Sequence, residues 1–507
     1  MIEPFPDSAR RVALRVSAGC GYPAEPPFDP SADYPEYGSK EFLSGEYNAV
    51  YDLVRMAMVD LGLDRAHYGT AAWSPLSGLI QPGNRVVIKP NLVLEGAQQD
   101  AITTHASVVR PLVDYAWAAM ERRGEIVVCD APVAQANFDE ITRRNGLAEM
   151  VRQLQARGTV VSLHDLRALR VVSRNGVWVG EEEEAHGRVK SVVVNLGQRS
   201  AFADPHFDTR RLHGGSYGRR FTAEHQTLER HEYCVSGAVL GADVVISVPK
   251  LKTHSKAGLT CCLKNLVGIN VDKNYLAHFR VGPANEGGDE FPHLPAWRLP
   301  LTRAVRCLHD IVLADHWRIT GRLVAAASGA LHSVLHHKPN RATSQLEDAN
   351  GTADWFFESL TGTPCRQGAW QGNETIWRMI LDLNQIFLYA RSDGTMSDRV
   401  QRRVFYVVDG VVAGEGAGPL RPTPVPLGLI ACGDNGLMVD LALLDFLEIA
   451  PECLPVYREA TSGRFQWIGP ADGPAVLLSG QPWQRSAGPA SQAIQPPPMW
   501  DFRHRMK

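Results

Sequence analysis

The chain has no C-x-x-C pair, although it carries nine cysteines, at 20, 129, 234, 261, 262, 307, 365, 432 and 453. An odd, dispersed set of thiols does not make a disulfide framework. It also lacks the clustered thiolates that a ferredoxin-type centre or a structural zinc requires, so no iron-sulfur cluster is expected. Long apolar runs are missing as well: charge or glycine interrupts every hydrophobic stretch before the roughly 18 to 20 residues of a spanning helix, and no transmembrane segment is expected. Between Met1 and Cys20 stand Glu3, Asp7, Arg10, Arg11 and Arg15, which break any leader-like segment; a cytoplasmic location is the expectation. No sign of charge predominates. With 52 basic and 55 acidic residues the net charge is -3, which excludes a whole-molecule attraction to nucleic acid. Charge-driven chemistry therefore has to be local.

What is present is an ordinary globular composition, 44% hydrophobic and 21% charged over 507 residues. Arg85-Val86-Val87-Ile88 is a buried-strand pattern. After it come Lys89-Pro90-Asn91, a helix opening at Thr103-Thr104-His105 and closed by Gly124, and a second strand, Glu125 to Asp130. Strand, crossover helix, strand is the order a parallel sheet needs. Further elements are read as a helix over 138–154, a strand over 159–162, an antiparallel hairpin of 171–180 with 190–196 around an acidic loop at 181–184, a helix over 223–235 and a strand over 243–248. Helix 375–389, strand 404–409, strand 428–432 and helix 437–449 follow. The fold class predicted is α/β: a central mixed, largely parallel sheet with flanking helices, an inserted helical segment and a proline-rich C-terminal tail. Its divisions are 1–84 packing on the core, 85–296 and 346–455 forming the core, a basic helical insertion at 297–345, and an extension with tail at 456–507. The insertion reads as a cap or a homo-oligomer surface, with peripheral membrane contact as the alternative.

The most informative run is Val248-Pro249-Lys250-Leu251-Lys252-Thr253-His254-Ser255-Lys256, continuing to Gly258-Leu259-Thr260 and Lys264-Asn265. It delivers lysines to the C-terminal end of a buried strand, where open α/β sheets bind ligands. Ammonium, hydroxyl and backbone N–H groups together suit an anion. His254 and His278 are candidates for proton transfer because imidazole changes charge near neutrality and cationic neighbours lower its pKa. Lysines crowded by lysines lose protons more readily, so Lys252 and Lys264 are candidate bases or nucleophiles. Acidic residues form a second constellation. Asp289, Glu290 and Asp409, if they converge on the lysines, could hold a divalent cation such as Mg²⁺ that bridges to the ligand; otherwise they are ion-pair partners. Gly414 to Gly418 is not a dinucleotide loop, since Pro419 to Pro424 follows where a helix must start; it reads as a turn beside the site.

Lys89-Pro90-Asn91, Thr103-Thr104-His105, the Pro249 to His254 run, Gly258-Leu259-Thr260 and Lys264-Asn265-Leu266-Val267-Gly268 together resemble the DUF362 domain family of bacteria and archaea. Lys273-Asn274-Tyr275-Leu276, His278, Arg280 and Gly287-Gly288-Asp289-Glu290 resemble a subgroup found beside polysaccharide genes. The resemblance implies that Lys89, Asn91, Thr103, Thr104, Lys250, Thr253, Lys256, Thr260, Asn265, Lys273, His278 and Arg280 contribute to a ligand site. It further implies a sugar or glycolipid precursor as the anion. Two functions stay open from the residues: an enzyme acting on an anionic small molecule, and a non-catalytic anion-binding or scaffold protein. A redox role is the weaker third, because the cysteine segment of some members is missing.

Overall fold

The computed structural model describes residues 7–37, 42–97, 100–174, 177–183, 190–214, 219–300, 302–304, 367–470, 472–483 and 493–503. Most of the expected helical insertion at 297–345 lies outside them, as do Cys307 and Cys365. Its strands are β1 (Arg11–Val16), β2 (Arg85–Pro90), β3 (Glu125–Asp130), β4 (Val161–Asp165), β5 (Leu169–Arg174), β6 (Val177–Glu183), β7 (Ser191–Asn195), β8 (Leu212–His213), β9 (Glu232–Ser236), β10 (Val244–Val248), β11 (Lys250–His254), β12 (Gly258–Thr260), β13 (Phe279–Arg280), β14 (Arg403–Glu415), β15 (Thr423–Val425), β16 (Leu429–Gly433), β17 (Ala475–Leu478) and β18 (Gln481–Trp483).

One large sheet runs β18-β17-β1-β16-β14-β10-β2-β3-β4. From β14 through β10, β2 and β3 to β4 every pairing is parallel. The β14–β16 and β16–β1 pairings are antiparallel, so the sheet is mixed and largely parallel, as the sequence predicts. Its central strands are valine- and isoleucine-rich because both faces are covered. Val86, Ile88, Val128 and Ile246 pack on one side against the helices Ala49–Asp60, Ala106–Ala119 and Leu147–Ala156. The intervening Val87, Val127 and Val245 pack on the other against the helices Ile376–Tyr389 and Gly436–Phe446. No helix among the described residues is long and apolar enough to cross a membrane.

Several local expectations are corrected. The helix over 138–154 is two helices, Phe138–Arg144 and Leu147–Ala156, broken where Gly146 takes φ 78°. The hairpin is β5 with β6, so Glu181 to Glu183 belong to a strand and not to a loop. β7 instead pairs β9, Val193 opposite Cys234, which replaces the helix expected over 223–235; the helix there is confined to Arg219–His225. Strand β7 alternates exposed and buried residues, whereas its partner β9 is buried from Tyr233 to Ser236. In the tail, Ile494, Trp500 and Phe502 are buried, and Trp500 Nε1 donates to Ser255 O at 2.7 Å beside the lysine run.

Candidate functional site

The lysine run is not a loop at a strand end. After Pro249 the chain continues as β11, which pairs β14 in parallel, Lys250 opposite Asp409, and β12 antiparallel, Lys252 opposite Thr260 and His254 opposite Gly258. All five residues of β11 are buried. Side chains alternate across a strand, so Lys250, Lys252 and His254 share one face and Leu251 and Thr253 the other. Thr253 spends its hydroxyl on Gly416 O, 2.9 Å away, which ties β11 to the glycine turn beside it.

Each cation on that face has a different environment. Lys250 Nζ lies 3.1 Å from Asp409 Oδ2 and donates at 2.5 Å to the Tyr22 hydroxyl, which in turn donates to Asp409 Oδ1 at 2.7 Å. The backbone N–H groups of His105, at 2.9 Å, and Val411, at 3.3 Å, also donate to the carboxylate, and the Tyr22 and His105 rings stack with centroids 4.1 Å apart. Burial pushes the Lys250 ammonium below its usual range while Asp409 holds it up. Lys252 donates to the Ile102 carbonyl and is paired with no carboxylate among the described residues. Burial, then Lys250 and Lys264, drive its pKa well below the ordinary lysine value.

At the ends of β2 and β3, Lys89 and Asp130 form a buried ion pair at 2.7 Å. Asn265 Oδ1 accepts from Lys89 Nζ at 3.1 Å, and its amide donates to Ser247 Oγ at 3.0 Å. Asn91 Nδ2 reaches Asn265 Oδ1 at 3.4 Å, while Asn91 Oδ1 is buried without a partner. Thr104 is structural: its hydroxyl donates to Val248 O at 2.7 Å and accepts from Asn91 N at 2.9 Å. Thr103 is buried beside it. Lys273 Nζ donates to Ala131 O and Asn270 O, both at 2.9 Å, and burial lowers its pKa to about 7. Gly268 packs so closely that a Cβ there would lie 2.2 Å from Asp130 Oδ1 and 2.7 Å from Lys89 Nζ. Gly268→Ala is therefore expected to cost about 1–3 kcal/mol by overpacking a charged pair; a denaturant midpoint equal to wild type would contradict this packing.

Lys264 is half-buried and has no hydrogen-bond partner among the described residues. Burial, then Lys89, lowers its pKa to about 8. It rides on the short helix Cys262–Asn265, whose first N–H groups are held by the Asp440 carboxylate at 2.8 and 3.0 Å. His254 Nδ1 accepts from the backbone N–H groups of Lys256 and Ala257 at 3.1 and 3.2 Å. His278 Nδ1 faces Leu276 O at 3.0 Å. Burial dominates the lowering of both imidazoles, and Lys256 and Lys264 add to it in each. Thr260 Oγ1, on the strand position facing Lys252, is buried without a partner.

Of Asp289, Glu290 and Asp409 only Asp409 meets the lysines, so the three do not come together as the expected cation site. Asp409 is the counter-ion of Lys250. Asp289 belongs to a separate knot: it accepts from the Arg280 backbone N–H, from Arg280 Nε at 3.4 Å and from Thr375 Oγ1 at 2.7 Å. Glu290 Oε2 accepts from Gly282 N at 3.1 Å. Arg280, committed to Asp289 and lying 4.2 Å over the Phe207 ring, stands with that knot. Among the described residues, three ligating atoms come within 4.8 Å of one another only at Cys261, Cys262 and Asp440. There burial keeps both thiols protonated, pushing Cys261 up to about 12, and Asp440 is already occupied by N–H groups.

Sequence reasoning missed Tyr22, His105, Ser247 and Asp130. Asp130 had a signal, ending the strand run Glu125 to Asp130 next to β2. Tyr22 had none beyond its place in a glycine- and proline-rich loop.

A mixed α/β sheet with a buried cationic strand at the carboxyl ends of its parallel strands defines the class. The chain belongs to the DUF362 family, "Domain of unknown function", whose family model matches residues 86–180 and 166–445. No curated protein matches the chain. A protein of known crystal structure from Thermotoga maritima is similar at 11% identity over 74% of this chain and 53% of that one, with a TM-score of 0.27. The chain spans about half the length of that protein, and so low a score carries no argument.

Proposed function

We propose that this protein is an enzyme that binds an anionic small molecule, phosphorylated or carboxylated, beside β11 and begins its chemistry with proton transfer to or from that ligand. The carrying observation is that, among the described residues, no carboxylate is hydrogen-bonded to or paired with Lys252 or Lys264, Asp130 acting on both from its pair with Lys89, while both lysines act electrostatically on His254. Buried positive charge without a counter-ion is costly, and an arriving anion supplies the missing charge. Lys252 and Lys264, whose charged forms burial disfavours, regain protons as the anion enters. The orphaned oxygens of Asn91 and Thr260 and the ring of His254 are the polar groups left to orient it. A sugar or glycolipid precursor is the ligand class that the resemblance to polysaccharide-linked members suggests. A divalent cation, if one takes part, would enter on the ligand's own oxygens, because Asp130 and Asp409 are committed to Lys89 and Lys250.

Calorimetric titration with inorganic phosphate tests the reading. Lys264→Met is expected to weaken binding on the order of tenfold or more, the worth of one charge-assisted hydrogen bond. Lys264 loses its proton near pH 8, so wild-type affinity falls as pH rises past about 8. Phosphate is already dianionic there. Lys264→Arg keeps its charge and should flatten that limb. Wild-type binding that is undetectable, or indifferent to both substitutions, would sink the proposal.

A further inference from the structure

The two histidines at the cluster are locked in opposite hydrogen-bonding senses. His254 Nδ1 receives two backbone N–H groups, from Lys256 and Ala257 at 3.1 and 3.2 Å. A nitrogen facing two donors holds its lone pair there, so the ring carries its hydrogen on Nε2. His278 Nδ1 faces the carbonyl of Leu276 at 3.0 Å. A carbonyl only accepts, so this ring carries its hydrogen on Nδ1 and presents a lone pair at Nε2. The charges of Lys256 and Lys264 act on both rings, and that of His278 acts on His254. A third and fourth positive charge among those ammonium groups is disfavoured, which keeps both rings neutral.

We infer that His254 and His278 form a donor and acceptor pair that selects anions bearing a hydroxyl: His254 Nε2–H donates to the anionic oxygen and His278 Nε2 accepts from the hydroxyl. This rests on the anion site proposed above and narrows its ligand class to hydroxy acids, protonated phosphate and phosphorylated polyols. An anion that is all acceptor would meet the His278 lone pair with a lone pair of its own. Sites built to accept a ligand hydroxyl discriminate strongly against the analogue that lacks it, because their polar atom is left unpaired.

Phosphate and sulfate separate the possibilities. At about pH 7.5 both are mainly dianions, and only phosphate keeps a hydroxyl. Titration calorimetry is expected to show wild type binding phosphate at least about tenfold more tightly than sulfate. His278→Phe should bring that ratio close to one, and His278→Gln, which retains an acceptor carbonyl, should restore part of it. His254→Phe should weaken both anions alike. A measurement on the unsubstituted protein covers the case of a variant that fails to fold: ¹⁵N imidazole spectra should report the Nε2–H form for His254 and the Nδ1–H form for His278. Equal binding of the two anions by wild type, or reversed tautomers, overturns this inference and leaves the anion site standing. Absence of binding for both anions overturns the site itself.

Discussion

Lys252→Met is expected to raise the stability of the protein and lower its affinity for phosphate in the same variant. Lys252 is 0% exposed, its ammonium donates to one carbonyl, and the like charges of Lys250 and Lys264 act on it more strongly than Asp130. A methionine of similar length fills the space without that desolvation cost, a gain of about 1–3 kcal/mol even with the Ile102 carbonyl left less well satisfied. Affinity falls by about tenfold because a nearby charge in a water-poor site no longer attracts the anion. The sign of the pH effect follows from the lowered pKa. Between its folded value and 10.5, the unfolded chain holds a proton on this lysine that the folded chain does not, so stability rises with pH across that span. Lys264, at about 8, and Lys273, at about 7, act in the same direction. Wild type should therefore gain stability from about pH 7 upward, and the methionine variant should gain less. Thermal unfolding across that range checks the slope; a destabilised variant with wild-type phosphate binding would contradict both halves.

Asp409→Asn is expected to be among the most damaging single changes. It removes the carboxylate paired with Lys250, and both side chains are 0% exposed. An uncompensated buried ammonium costs about 3–5 kcal/mol. The Tyr22 hydroxyl, bonded to both partners, would lose its anchor, and with it the loop that brings residue 22 to the sheet. A counter-ion and a metal ligand differ in what rescues them. As a counter-ion, Asp409 predicts the same loss of unfolding free energy in EDTA and in excess Mg²⁺. It also predicts that adding Lys250→Met recovers much of the loss, because the pair is removed together. A loss that depends on Mg²⁺, with no recovery in the double variant, would assign Asp409 to a cation instead.

Different parts of the molecule were legible in different degrees. The parallel strands announced themselves through short valine and isoleucine runs bounded by turn residues, since a strand covered on both faces has nowhere to put polar side chains. The lysine run was legible as the site, yet its conformation was not. Lys-Leu-Lys-Thr-His reads as a ligand-binding loop after the buried strand until the strand beside it is known, and β14 continues past Asp409 to Glu415, far enough to pair with it. The convergence of acids on lysines was expected too broadly. Asp409 does meet Lys250, but Asp289 finds Arg280, nine residues away, first.

What the sequence determined by itself is the α/β class, the order of the parallel strands' crossovers, and the delivery of lysines and His254 to one edge of the core. These follow from local patterns: short continuous apolar runs, the turn residues that bound them and the spacing of charge along a few residues. What only the tertiary structure decided is which charges cancel. Lys250 is answered by Tyr22, 228 residues before it, and by Asp409, 159 residues after it. Lys89 takes Asp130, while Lys252 is paired with no acid among the described residues. Pairing over such separations depends on strand order and register, which set the distances between side chains. Charge balance inside a protein is a property of those distances, and composition records only the sum, -3.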